Sequence, residues 1–124
     1  MMDIENLEIW KLGVKLARDI YLLTERFPKR EIYGLTDQIR RSAVSIPSNI
    51  AEGKGRSTAK DFVHFLNTAR GSLYELTTQL YVAREIGYLT EEDFAQLNKR
   101  IENLSHKIVA MNKYLKEKSS REKT

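Results

Sequence analysis

Cysteine is absent from this 124-residue chain, which excludes a disulfide framework, thiolate catalysis and a zinc ribbon. Histidine is almost as scarce, with only His64 and His106. A di-iron bundle needs Glu-x-x-His pairs on two helices, whereas Glu102 and His106 are four apart and have no twin. Both histidines therefore read as solvated surface residues, and no metal or other cofactor is expected. No apolar run approaches the roughly 18 residues of a membrane span. The opening MMDIENLEIW is acidic and lacks the basic-then-apolar order of a signal peptide. The expectation is a cytoplasmic protein with no membrane partner. No stretch alternates with period two for long enough to make a strand, and no internal repeat or low-complexity linker is present. Proline occurs twice, as Pro28 and Pro47, and the second of these is the more informative.

What is present is helical patterning. Hydrophobic residues make up 41% and charged residues 31%, the balance of a soluble chain rich in long helices. A chain of this length forms one domain and buries about two thirds of its unfolded surface. We place that domain at residues 1–118, with a basic tail at 119–124. The formal charge of +4 is weak evidence for an anionic partner. Its distribution matters more: residues 113–124 hold five basic side chains against two acidic ones. A solvated tail accounts for that excess as well as a binding arm does.

Four helices follow from the spacing. The first is predicted over residues 6–27, capped by Asn6. Leu7, Trp10, Val14, Ala17 and Tyr21 form a heptad seam, with a second row of Ile9, Leu16, Ile20, Leu23 and Phe27 beside it. Gly13 lies in the stripe and permits close approach of a neighbouring helix. Pro28 ends this helix. In the second, Leu35, Ile39, Ala43, Ile46 and Ile50 share one face. Pro47 falls inside that pattern, removing one backbone hydrogen bond and crowding the Ala43 carbonyl, so the helix is expected to bend. Ser45, Ser48, Asn49 and Glu52 surround the bend, where they either line a polar pocket or serve the backbone groups that Pro47 leaves unpaired. Gly53-Lys54-Gly55 closes the helix. Thr58 to Asp61 resembles a capping box opening the third helix. There Phe62, Leu66, Ala69, Leu73, Leu76, Leu80 and Ala83 alternate fours and threes. Gly87 and Tyr88 stop it, and Glu91-Glu92-Asp93 opens the fourth with charges suited to a helix N-terminus. Its seam is Phe94, Leu97, Ile101, Leu104, Ile108, Met111 and Leu115. Short connections make neighbours antiparallel. The predicted fold is all-α, an up-down-up-down four-helix bundle with a proline-bent second helix.

Two segments carry a family resemblance. IRRSAVSIPSNIAEG, from Ile39 to Gly53, resembles the hallmark of the four-helix-bundle proteins known as 23S rRNA intervening sequence proteins, or S23 ribosomal proteins. FLNTARGSLYELTTQL, from Phe65 to Leu80, matches a second hallmark, and Leu7-Glu8-Ile9-Trp10 and Ile86-Gly87-Tyr88-Leu89 also fit. The similarity spans all but the last ten or so residues. It implies a homopentamer without enzymatic activity, of a kind encoded in insertions within bacterial 23S rRNA genes and elsewhere in genomes. The family is also similar to accessory proteins of diversity-generating retroelements, which bind nucleic acid and a reverse transcriptase. RNA or DNA, a reverse transcriptase or a ribosomal component are the partners so implied, besides the chain itself.

The residues offer one candidate site class. Arg40, Arg41, Lys54 and Arg56 bracket the second helix and could meet nucleic-acid phosphates. They could equally form salt bridges, with Asp37, Glu52 and Glu75 as candidate partners. Arg70 and Arg84, with Tyr74, Thr77 and Tyr81, make a second strip, suited to stacking on unpaired bases or to a subunit interface. Gly53 to Thr58 lacks the GxxxxGK[ST] order of a phosphate loop and follows a helix rather than a strand. The acidic trio at 91–93 is a helix start rather than a metal site, and no catalytic residue is expected.

Overall fold

The computed structural model describes residues 3–122. Its four helices are α1 (Glu8–Thr24), α2 (Leu35–Lys54), α3 (Ala59–Glu85) and α4 (Glu91–Glu122), with short 3-10 turns at Asp3–Asn6 and Lys29–Glu31. No strand occurs among the described residues. Each helix packs on its neighbours in sequence, and α1 closes the bundle against α4. The direction of each pairing is visible in its side-chain contacts. Between α1 and α4, Glu8 meets Lys107, Asp19 meets Arg100, and Arg26 just beyond α1 meets Asp93. Numbers rise along one helix as they fall along the other, so the two are antiparallel. The same holds for α2 and α3, where Gly53 lies against Phe62 and Ser45 against Ser72. It holds again for α3 and α4, through Asn67 with Asn112 and Tyr81 with Phe94.

The core follows the predicted faces of α2, α3 and α4. Ile39, Ala43, Ile46 and Ile50 are buried, as are Leu66, Ala69, Leu73, Leu76, Leu80 and Ala83. On α4, Phe94, Leu97, Ile101, Leu104, Ile108 and Leu115 are buried, but Met111 is only half-buried and the neighbouring Asn112 goes inside instead. Helix α1 requires a larger correction. Val14 and Tyr21, assigned to its seam, are 40% and 43% exposed, whereas Ile9, Leu16 and Ile20 of the second row are buried. Both rows of α1 are apolar, and it is the second that faces the neighbouring helices. A drift of about 20° per heptad is too small to be the cause, since the rows of α3 and α4 keep the same spacing and stay buried over most of their length.

The ends of α1 also differ from the prediction. Asn6 closes a 3-10 turn, its amide reaching Asp3 Oδ1 at 3.4 Å, and Leu7 occupies the cap position without a side-chain bond. At the other end, Arg26 and Phe27 form tighter backbone bonds to the carbonyls of Leu23 and Thr24. A residue before proline is pushed out of helical geometry, which withdraws Phe27 ahead of Pro28. The other ends agree with the sequence. Thr58 Oγ1 accepts from the Asp61 amide at 3.1 Å, and Thr90 Oγ1 from the Asp93 amide at 3.0 Å. Gly87 takes a φ of 85° while Tyr88 N–H bonds the Ala83 carbonyl, the left-handed stop that glycine permits. The Tyr88 hydroxyl then donates to Glu31 Oε2 at 2.7 Å, fastening this corner to the α1–α2 connection. That bond to a carboxylate, helped by burial, raises the Tyr88 hydroxyl pKa. Helix α4 continues through Ser119 and Ser120 to Glu122.

Helix α2 runs through Pro47 without ending. Pro47 is buried, and a Cβ on Gly13 would stand 3.3 Å from the proline Cβ, so Gly13 does supply the close approach between α1 and α2. Side chains around the proline bond carbonyls three or four residues back. Ser45 donates to Ser42, Ser48 to Val44, and Asn49 to Ser45, each at 2.8 Å. These bonds stay within the helix and none reaches the Ala43 carbonyl that Pro47 leaves unpaired, while the same three side chains line the groove between α1 and α2.

Candidate functional site

The five basic residues singled out in the sequence fall in three places. Arg40 and Arg41 border a groove on the α1–α2 side, which Tyr21, Tyr33 and Val44 also line. Lys54 and Arg56 lie at one end of the bundle, on a depression shared with Lys60, Tyr114 and Lys118. Arg70 is on the α3–α4 side, beside Asn112 and Lys113. One continuous basic strip through all five is therefore ruled out by the fold.

Four of the five are also occupied within the chain. Arg40 Nε donates to Thr24 Oγ1 at 2.9 Å, Nη2 reaches the Tyr21 carbonyl at 3.3 Å, and the guanidinium lies 4.6 Å over the Tyr21 ring. It fastens α2 to the last turn of α1. Arg41 pairs with Asp37 at 2.9 Å and Arg56 with Glu52 at 2.7 Å, both one helical turn away. Arg56 also covers the Phe65 ring at 4.7 Å, and Lys54 lies 3.6 Å from Asp3. Two of the three expected carboxylate partners, Asp37 and Glu52, are thus the observed ones, and Glu75 is not. Exposed pairs of this kind contribute at most about 1 kcal/mol each, so an incoming phosphate can displace them. Arg84 is held more firmly, stacked over Tyr81 and Phe94 and near Glu85 and Glu91. Arg70 differs from all of these: no carboxylate pairs with it among the described residues, and its buried Nε has no hydrogen-bond partner.

Two aromatic surfaces accompany the basic groups. On the α1–α2 side, Tyr21, Ile32, Tyr33 and Val44 are exposed along a groove of about 630 Å³, with Tyr33 at 94%. On the α3–α4 side, Tyr74 at 68% and Tyr81 line a second groove of about 500 Å³ with Thr77, Asn98 and His106. In a bundle ordered α1 to α4 around its axis these two sides are opposite. Tyr21 and Val44 were legible as apolar residues. The exposure of Tyr21 was not, because periodicity cannot tell a flank from a core face when both rows of α1 are apolar; Val44 lies off the single apolar row of α2.

Long-range ion pairs were missed by sequence reasoning. Lys107 donates to Glu8 at 2.8 Å and holds its carboxyl below the usual range. Asp19 is lowered as well, first by the hydrogen bond from Arg18 and then, against a burial effect that raises it, by Arg100 at 2.7 Å. These pairs join α1 to α4. Among the described residues no group of three or more histidine, aspartate or glutamate side chains is arranged to hold a metal ion, and no helix is long and apolar enough to cross a membrane.

Comparison with known proteins agrees with this architecture. The family described as 23S rRNA-intervening sequence protein matches residues 5–110. A crystal structure of a protein of unknown function from the S23 ribosomal protein family of Bacteroides thetaiotaomicron is similar in fold, with a TM-score of 0.76 and 22% identity. The likeness covers 85% of this chain and 98% of that one. No curated protein matches the chain.

Proposed function

The chain belongs to the 23S rRNA-intervening sequence protein family, and on that premise we propose that it acts without catalysis as a homopentameric bundle that binds nucleic acid. One observation carries the assembly. Tyr21, Ile32, Tyr33 and Val44 on one side, and Tyr74 and Tyr81 on the other, are two different exposed aromatic faces of a single bundle. A closed ring of odd number joins two unlike patches head to tail, and interfaces favour tyrosine and arginine. Five is the number implied by the family resemblance. Assembly repeats every basic group around the ring, which multiplies weak phosphate contacts into a useful affinity.

The pairing of Arg40, Arg41, Lys54 and Arg56 within the chain favours a second reading, a protein-binding or purely structural scaffold whose basic residues serve the fold. Two measurements separate the readings. Light scattering is expected to give a mass near five times the 14.4 kDa chain, and a monomer would end the assembly proposal. Labelled RNA is expected to bind with an affinity that falls steeply with salt, and more weakly to Arg41→Glu. Arg41 is the better probe than Arg40, whose loss would also unfasten α1. Equal binding by both proteins would remove Arg41 from the site, and no binding at low salt would leave the scaffold.

A further inference from the structure

Between α3 and α4 lies a groove of about 300 Å³ lined by two buried polar groups that lack partners, Arg70 Nε and Asn112 Oδ1. They come from facing helices, one a donor and the other an acceptor. Asn112 is only 6% exposed. Its Nδ2 donates to Asn67 Oδ1 at 3.0 Å, which leaves Oδ1 with nothing to accept from. A buried oxygen in that condition is costly and calls for a donor. Arg70 adds a guanidinium that no carboxylate pairs with, alone among the five basic candidates in having no partner among the described residues. Lys113 and Lys116 are exposed along the same groove, and neither forms an ion pair among the described residues. Glu117 is the one carboxylate lining it, so the groove holds three positive charges against one negative.

We infer that this groove binds a phosphate group, with Arg70, Lys113 and Lys116 on its anionic oxygens and a hydroxyl of the ligand donating to Asn112 Oδ1. A bridging water could satisfy Asn112 but would leave the cations unneutralised. A carboxylate offers two coplanar oxygens and no donor. A phosphate spreads its oxygens tetrahedrally towards cations on two helices, and its protonated oxygen or a neighbouring sugar hydroxyl supplies the missing donor. Both unpartnered atoms are closed to solvent, so the long Arg70 side chain swings aside as the ligand enters and then closes over it. The phosphate comes from a polynucleotide backbone or from a small phosphate compound. The first source rests on the proposed nucleic-acid function, and the second does not.

The test uses the full chain labelled with nitrogen-15, titrated separately with inorganic phosphate and with a single-stranded RNA oligonucleotide. Inorganic phosphate is expected to shift the Arg70 Nε–H and Asn112 amide signals saturably. Arg70→Gln and the pair Lys113→Gln/Lys116→Gln are expected to weaken that response about tenfold or more, the loss of a charge-assisted contact. Lys15→Gln on α1 leaves it unchanged, and circular dichroism verifies each fold. Wild-type signals that do not move, or an Asn112 signal that moves equally in Arg70→Gln, overturn the site. RNA binding weakened by Arg70→Gln, with a salt slope reduced by about 0.7, assigns the phosphate to a polynucleotide. If phosphate shifts the groove while RNA binds independently of Arg70, the site takes small phosphates. If phosphate shifts it and RNA does not bind at all, the groove stands and the nucleic-acid function falls.

Discussion

Gly53 and Gly71 both sit within helices, yet their surroundings differ completely. A Cβ on Gly53 would lie 2.8 Å from Phe62 Cδ1, 2.9 Å from Phe65 Cβ and 3.2 Å from the Phe62 carbonyl. The Phe62 ring can rotate away, but the other two atoms move only with the backbone of α3. Gly53→Ala is therefore expected to destabilise the chain by about 1–3 kcal/mol, the usual cost of overpacking, despite the better helix propensity of alanine. A urea midpoint that stays level or rises would show that α2 and α3 can separate freely here. Gly71 has nothing within 4 Å of its imaginary Cβ. Gly71→Ala should raise the midpoint, worth about 0.5–1 kcal/mol from propensity alone. The sequence places both glycines on helices. It cannot distinguish them, since the obstructing atoms belong to residues that only the α2–α3 turn brings alongside.

The helices themselves were largely readable before any coordinates. Where one apolar row keeps its spacing without a competing row, as on α3, the pattern identifies the buried face from Leu66 to Ala83, with Phe62 half-buried at its start. Where two rows compete, as on α1, it does not. Asn112 shows a different limit: a polar residue enters the interior because Asn67 on another helix offers it an acceptor, and nothing within α4 announces that. The ion pairs between α1 and α4 have the same character, since Asp19 and Arg100 are 81 residues apart. Their effect on stability follows from the lowered pKa values of Glu8 and Asp19. A carboxylate with a depressed folded pKa contributes stability above its unfolded value, and that contribution disappears as pH falls through the folded value. Below pH of about 4 the hold of α1 on α4 should weaken. Asp19→Asn should flatten the dependence of the urea midpoint on pH in that acid range. An unchanged slope would mean that solvent already screens the pair.

At the scale of the molecule, the grooves and the basic groups are spread over opposite sides and one end. Arg40, Arg41, Lys54 and Arg56, one candidate surface in sequence, are two patches in space, with Arg70 on a third, because α2 is long enough to separate Arg41 from Lys54 and the Arg56 beyond it. No reading of composition would have separated them. The aromatic flanks are the feature with the most direct consequence for assembly. Val44→Glu puts a charge into the α1–α2 groove on a side chain that is already 42% exposed, so the bundle should fold normally. Its mass by light scattering is expected to fall towards that of a single chain. Retention of the full assembly with a stable fold would move the interface elsewhere.

The meeting of Gly13 and Pro47 bears on how this sequence can drift. A methyl at 13 would crowd three atoms of the proline at 3.3–3.5 Å, and one of them, Cδ, vanishes on substitution by alanine. What is tolerable at one position is thus conditional on its counterpart, and Gly13→Ala combined with Pro47→Ala should do less harm than the two changes added separately. Losing the proline lightens the constraint at 13 without lifting it, because the nearest contact, to Cβ at 3.3 Å, stays.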